Sequence, residues 1–162
     1  LVRAAGFEVV DVRRDYDDQY LMLEARPSRG SSGAPLEEED DMVELTDLVA
    51  RFTDRLSELH ATWTERLSAY RKDGKRVVVW GSGSKGVAFL TTFGGGAGIE
   101  YVVDINPFRQ GHFMLRTGQE IVSPEFLVDY RPDVVVVMNP VYREEIVANL
   151  TQLGMSPEVL TT

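Results

Sequence analysis

Residues 76–104 read RVVVWGSGSKGVAFLTTFGGGAGIEYVVD. A short apolar run, Val77-Val78-Val79-Trp80, feeds into Gly81-Ser82-Gly83-Ser84-Lys85-Gly86, and an apolar segment follows from Val87 to Phe93. After a glycine-rich break, a second apolar run, Ile99 to Val103, ends in Asp104. This is the order of a strand, a G-x-G-x-x-G turn, a helix and a second strand closing on an acid. Gly81 permits a tight turn, Gly83 lets backbone N–H groups approach a ligand, and Gly86 lets the helix pack close to the strand. The helix N-terminus presents N–H donors and a partial positive charge suited to phosphate or carboxylate. A bare glycine pattern has low specificity; here the strand before it and the helix and acid after it support a βαβ unit. Whether a ligand occupies the unit is a separate matter, because the same glycines also serve a scaffold kept for its packing.

Downstream, a polar loop runs from Asp104 to His112, and Gln119 to Val122 reads as a short strand. Ser123-Pro124-Glu125 is a helix start, with serine as N-cap and proline at the first helical position, for a short helix from Phe126 to Tyr130. Asp133 opens Val134-Val135-Val136-Val137-Met138, apolar on both faces as a central parallel strand requires. Asn139-Pro140 leads into a helix from Tyr142 to Leu153 closed by Gly154, and Glu158 to Leu160 is a candidate edge strand. The succession predicts an α/β fold: a Rossmann-like, open, mostly parallel sheet with helices on both faces.

Upstream, Leu1 to Ala5 reads as a helix end with Gly6 in the left-handed closing position. Phe7 to Val12 and Gln19 to Ala25 read as two strands of a hairpin, with polar Arg13 to Asp18 as its loop. Pro27 to Pro35 has the composition of a linker, and the acidic run Glu37 to Asp41 suits a helix N-terminus or a solvated face. From about Asp40 to Lys72 the pattern is helical. Val49, Leu56, Trp63 and Tyr70 recur every seven residues, interleaved with Leu45, Phe52 and Leu59, and Arg66 interrupts the seam at its far end. Such a helix either packs on the following domain, or serves as a dimerisation helix or as a spacer between two domains. The expected division is a helix end plus hairpin over 1–26, a linker over 27–39, a long amphipathic helix over 40–73 and a Rossmann-like domain over 75–162. The chain opens Leu1-Val2-Arg3 without an initiator methionine and with a hairpin too small to hold a core, so it reads as a piece of a longer polypeptide.

Composition narrows the function classes. The 162 residues carry 17 basic and 26 acidic side chains, a net charge of −9, which argues against a broad nucleic-acid surface. No apolar run approaches the roughly 18 residues of a membrane span. The absence of cysteine excludes disulfides and thiolate metal sites and accords with a cytoplasmic protein. His60 and His112 lie far apart without metal-ligand spacing.

In a doubly wound sheet the first and fourth strands are neighbours, and ligands bind in the crevice at their C-terminal ends. The candidate ligand-binding residues are therefore Gly81, Ser82, Gly83, Ser84, Lys85 and Gly86, with Asp104 and Asn106 on one side and Asn139 and Tyr142 across the crevice. Asp104 is placed to accept hydrogen bonds from ribose hydroxyls. Lys85 either pairs a phosphate or is a solvated first-turn lysine, and Arg109 either reaches an anionic ligand or is an exposed loop arginine. Asn139 either faces the ligand or simply starts a turn. Glu144 and Glu145 read as a solvated helix turn, and His112 as a loop residue. No catalytic constellation and no metal site is visible.

Three ordered segments, VVVWGSGSKGVAFL, YVVDINPFRQG and RPDVVVVMNPVYREEI, resemble the C-terminal domain of SAM-dependent C-methyltransferases, including those acting on nucleotide-linked deoxysugars. The resemblance runs from about Lys75 to the end. AAGFEVVDV followed by QYLMLEA is similar to the close of a class I methyltransferase domain, where the last helix enters an antiparallel hairpin. The resemblance implies that S-adenosylmethionine is the cofactor of the full-length protein, with its site mostly outside this chain, and that no catalytic residue lies within it. It also implies a Rossmann-like domain that helps to form the substrate site, for example for a nucleotide sugar. Arg116 departs from the pattern, which leads one to expect a small residue such as glycine there. Two rival readings remain: an NAD-type oxidoreductase module, favoured by the glycine turn and Asp104, and a non-catalytic interaction domain forming a homodimer through the long helix.

Overall fold

The computed structural model describes residues 1–28, 30 and 33–162. Part of the expected linker, at positions 29, 31 and 32, lies outside the described residues. The chain divides into two compact units, Leu1–Ser57 and Glu58–Thr162.

In the first unit a 3-10 turn, Arg3–Ala5, closes on Gly6 at φ 87°. It leads into an antiparallel hairpin of β1 (Phe7–Asp15) and β2 (Tyr20–Pro27). The strands run further than expected: Arg13, Arg14 and Asp15 are paired with Met22, Leu21 and Tyr20 instead of forming the loop. A two-stranded ribbon leaves both faces largely exposed, so polarity does not mark its end. Cross-strand ion pairs support the ladder, Arg26 to Glu8 at 2.8 Å near its open end and Arg13 to Glu24 at 3.1 Å nearer the turn. The turn is shorter, with Tyr16, Asp17 and Asp18 at φ 54°, 55° and 58°. In the acidic run, directly ahead of the long helix that starts at Met42, Glu37, Glu39, Asp40 and Asp41 are exposed. Glu37–Glu39 makes its own 3-10 turn, and Glu39 is tied to the Arg3 guanidinium and to the Leu36 N–H. Those bonds, Arg3 foremost, hold the Glu39 carboxyl down at about 2.

Helix α1 spans Met42–Lys72, 31 residues, and the boundary between the two units falls within it. It stops where sequence predicted: Gly74 takes φ 67°, the Gly74 N–H reaches Arg71 O at 3.1 Å and the Lys75 N–H reaches Tyr70 O at 2.9 Å. The apolar stripe has two fates. From Glu58 onward, Trp63, Leu67 and Tyr70 are buried. Leu67, not the interleaved Arg66, continues the stripe, because steps of four and three residues follow a straight helix of 3.6 residues per turn. Nearer the N-terminus, Leu45, Val49, Phe52 and Leu56 are 46%, 64%, 62% and 52% exposed. Leu67→Ala is expected to lower stability by about 2 kcal/mol in urea denaturation, whereas Leu59→Ala should change it by less than about 1 kcal/mol. Equal costs would contradict this assignment of the buried face.

The second unit is built on a five-stranded, all-parallel sheet. Its strands are β3 (Val77–Trp80), β4 (Tyr101–Val103), β5 (Glu120–Val122), β6 (Val134–Val137) and β7 (Glu158–Thr161), in the spatial order β5-β4-β3-β6-β7. Helices α2 (Ser84–Phe93), α3 (Leu127–Tyr130) and α4 (Arg143–Gln152) connect them. Side chains alternate across each strand, which creates two cores. Val77, Val79, Val102, Val134 and Val136 pack with Trp63, Leu67 and Tyr70 of α1 and Phe89 and Leu90 of α2. Val78, Trp80, Val103, Val135 and Val137 pack with Leu127 of α3 and Ile146 and Leu150 of α4.

The direction of travel decides which face each connection uses. Leftward steps, β3 to β4 through α2 and β4 to β5 past Met114, lie on the first face. Rightward steps, through α3 and α4, lie on the second. Right-handed crossovers demand this switch of face when direction reverses. The fold is thus the Rossmann-like α/β sheet read from the sequence. Differences are local: α2 begins at Ser84, β4 at Tyr101, and 3-10 turns Pro124–Phe126 and Pro140–Tyr142 precede α3 and α4. Ser123 makes no side-chain capping bond, although Pro124 stands at the first position.

Candidate functional site

The ends of β4, β3 and β6 lie side by side because the parallel ladder continues one residue past each strand. The Gly81 N–H bonds Val103 O at 2.8 Å, and the Met138 N–H bonds Trp80 O at 3.0 Å. Gly81, Asp104 and Asn139 therefore emerge at one edge of the sheet, flanking the point where the strand order reverses.

The glycines differ in what requires them. Gly81 sits at φ +116°, strained for any other residue. A Cβ on Gly86 would lie 2.2 Å from the carbonyl oxygen of Gly81, so close approach of α2 to the turn excludes any side chain there. Gly83 has neither constraint: it is the extended N-cap of α2, and a Cβ would meet only the Arg109 guanidinium, at 3.9 Å. Ser84 and Lys85 begin α2 and are exposed.

Asp104 is the buried charged residue of the sheet, and its carboxylate organises the turn. Oδ2 accepts the Ser82 N–H at 3.0 Å, the Ser82 hydroxyl and Arg109 Nη1 at 3.3 Å; Oδ1 accepts the Asn106 N–H at 2.9 Å. Three of the four donors crowd Oδ2, and Oδ1, with the single Asn106 amide, keeps one acceptor position. Burial opposes ionisation of Asp104, but the Ser82 hydroxyl, the Asn106 and Ser82 amides and Arg109 outweigh it and hold the carboxyl below its ordinary value.

Asn106 accepts the Phe108 N–H at 3.0 Å on its side-chain oxygen, so it shapes the loop. That turn brings Arg109 back over the glycine turn, where Nη1 also donates to Ser82 Oγ at 3.2 Å. Its guanidinium stays about half exposed, leaving donors directed outward. Arg109 is an exposed loop residue whose side chain reaches the glycine turn. Gln110, which sequence reasoning missed, donates Nε2 to Asp104 O at 2.8 Å. Only the neighbouring Asn106-Pro107 turn hinted at this return. Across the edge, Asn139 is half-buried and its carbonyl accepts the Tyr142 N–H at 3.1 Å, while the Tyr142 ring is exposed. His112 is an exposed loop residue whose carbonyl accepts the Ile121 N–H at 2.8 Å. Arg116 adopts φ 74°, the left-handed region, which accounts for the expectation of a glycine there. Among the described residues no cluster of His, Asp and Glu is placed to hold a metal, and no helix is long and apolar enough to cross a membrane.

The arrangement sets a helix N-terminus, an open glycine and a braced guanidinium together at the strand ends. No pairing of nucleophile with base is present among the described site residues.

Two solved structures are similar to part of this chain. RSP, a Rex-family repressor, in complex with beta-NAD+ and operator DNA, is 16% identical with a TM-score of 0.41; the match covers 54% of this chain and 49% of that one. UDP-D-quinovosamine 4-dehydrogenase from Vibrio fischeri is 23% identical with a TM-score of 0.44, covering 54% of this chain and 76% of that one. The match thus spans about half the length of the repressor chain. No curated protein matches. The profile of the C-methyltransferase C-terminal domain matches residues 24–156, which takes in the second half of β2, all of α1 and the sheet as far as α4. By that match over most of its length, the chain belongs to the family of C-methyltransferase C-terminal domains.

Proposed function

We propose that this chain is the C-terminal part of a SAM-dependent C-methyltransferase whose Rossmann-like domain binds the phosphate-bearing part of the methyl acceptor, a nucleotide sugar. The carrying observation is the Arg109 guanidinium, braced by Asp104 and Ser82 beside the open N-cap of α2. An anion there meets helix N–H groups and a planar donor at once. Gly81 to Gly86 shape the cradle, Lys85 adds charge at the helix start, and Asn139 and Tyr142 line the opposite side. The resemblance puts the S-adenosylmethionine site outside this chain, and in the glycine turn Asp104 is already engaged by Ser82, Asn106 and Arg109. No step through S-adenosylmethionine is therefore assigned to these residues; the cofactor belongs to the catalytic part of the full-length enzyme, in the cytoplasm.

Calorimetric titration with UDP-glucose tests the reading. Binding is expected with the wild-type chain, and Arg109→Gln should weaken it by about tenfold, the worth of a charge-assisted bond. Micromolar binding of NADH without binding of the sugar nucleotide would favour the oxidoreductase reading instead. A second reading, a homodimer through α1, is favoured by the exposed Leu45, Val49, Phe52 and Leu56. Sedimentation before and after changing these four to serine separates it: an unchanged mass removes the support for dimerisation through this face.

A further inference from the structure

A second polar concavity lies on the first face of the sheet, away from the glycine turn. It is an open groove of about 620 Å³ between the last turns of α1 and the loop that follows α2. That volume is in the range of small-ligand sites. Because α2 starts at the C-terminal end of β3 and returns toward the start of β4, the groove sits at the opposite end of α2 from the Gly81–Gly86 turn.

Three features of the groove are not explained by the fold. Its polar lining from α1 is His60, Thr64, Ser68, Arg71 and Lys72, placed at helical spacing along one face, and no carboxylate lines it. In a chain of net charge −9, two adjacent cations facing no acid form a local reversal of sign. Second, the cationic groups are placed for use. The Arg71 Nη1 donates to Gly96 O, which fixes the guanidinium, while Lys72 forms no ion pair among the described residues. Cations in a last helical turn also complement the helix dipole, but that accounts for neither the converging hydroxyls nor the groove. Third, the loop carries a glycine without a backbone reason. Gly96 and Gly98 have φ +86° and +72°, and a Cβ on Gly94 would lie 2.5 Å from Leu90 O. Gly95 has no positive φ and nothing within 4 Å of its would-be Cβ, yet it borders the groove. A side chain there has room, and that room is groove.

We infer that this groove is a second binding site, for the phosphate group of a small phosphorylated molecule, held by Arg71 and Lys72 with the hydroxyls of Thr64 and Ser68. It is independent of the nucleotide-sugar reading, since none of its residues belongs to the Gly81–Gly86 edge.

The probe is inorganic pyrophosphate, titrated into the isotopically labelled chain and followed by amide NMR shifts, with malonate as the carboxylate control. Expected are saturable shifts at residues 64–72 and 94–97, weaker or absent with malonate. Lys72→Gln should weaken binding by about tenfold and Gly95→Leu should abolish it, while Arg109→Gln leaves these shifts unchanged. Unperturbed spectra elsewhere in each variant establish that it is folded. Shifts confined to Ser82–Lys85 and Arg109, indifference to Lys72→Gln, or no saturation by about 10 mM would each overturn the inference. Equal affinity for malonate would overturn its phosphate preference. Failure of UDP-glucose to bind would bear only on the Arg109 site.

Discussion

Gly86→Ala is expected to destabilise the second unit by about 3 kcal/mol, the cost of forcing atoms into a packed site. The added Cβ would lie 2.2 Å from the Gly81 carbonyl oxygen, which is backbone and has no rotamer to escape into. Relief requires α2 to move off the turn, and that loosens Phe89 and Leu90 from the first core. Gly83→Ala is the control: the residue is extended, and the nearest atom to a new Cβ is a movable arginine tip at 3.9 Å. Its effect should stay within about 1 kcal/mol. The check is equilibrium urea unfolding of both variants. Equal midpoints would sink the claim that Gly86 is required by packing and Gly83 is left for a ligand.

Asp104→Ala is expected to cost a similar amount, roughly 3 kcal/mol, because it strands the Ser82 amide and hydroxyl and the Asn106 amide together. Asp104→Asn should cost less, since the amide oxygen still accepts. The wild-type carboxyl also confers a pH dependence whose sign follows from its lowered value. A group whose folded pKa lies below its unfolded one stabilises fully above the unfolded value, near 4, and loses that stabilisation as pH falls through the folded value. Acid unfolding of the wild type below about pH 4 should therefore be shallower in Asp104→Asn. Parallel acid profiles would show that Asp104 contributes nothing to the pH dependence.

Much of the architecture was legible in the sequence. Val77–Trp80 and Val134–Val137 are apolar at every position, which only a strand covered on both faces tolerates, and the glycine turn and Gly74 mark where elements must stop. The hairpin was read less well: its strands extend through Arg13 to Asp15, because a ribbon with two largely exposed faces gives no apolar alternation to follow. The α1 stripe shows the same limit. Its seven-residue spacing runs from Val49 to Tyr70 in the sequence, but burial starts only at Trp63, where the sheet supplies a surface for it.

Local spacing by itself determined the order of strands and helices, the turn chemistry and the positions of the glycines, since each depends on residues near in sequence. Tertiary structure alone decided how the site is wired. Asp104 meets Ser82 across 22 positions and Arg109 returns over 27 to the same serine, contacts created by adjacent parallel strand ends. The acid at the end of β4 thereby also braces an arginine, because a buried carboxylate binds the donors that the fold brings within reach.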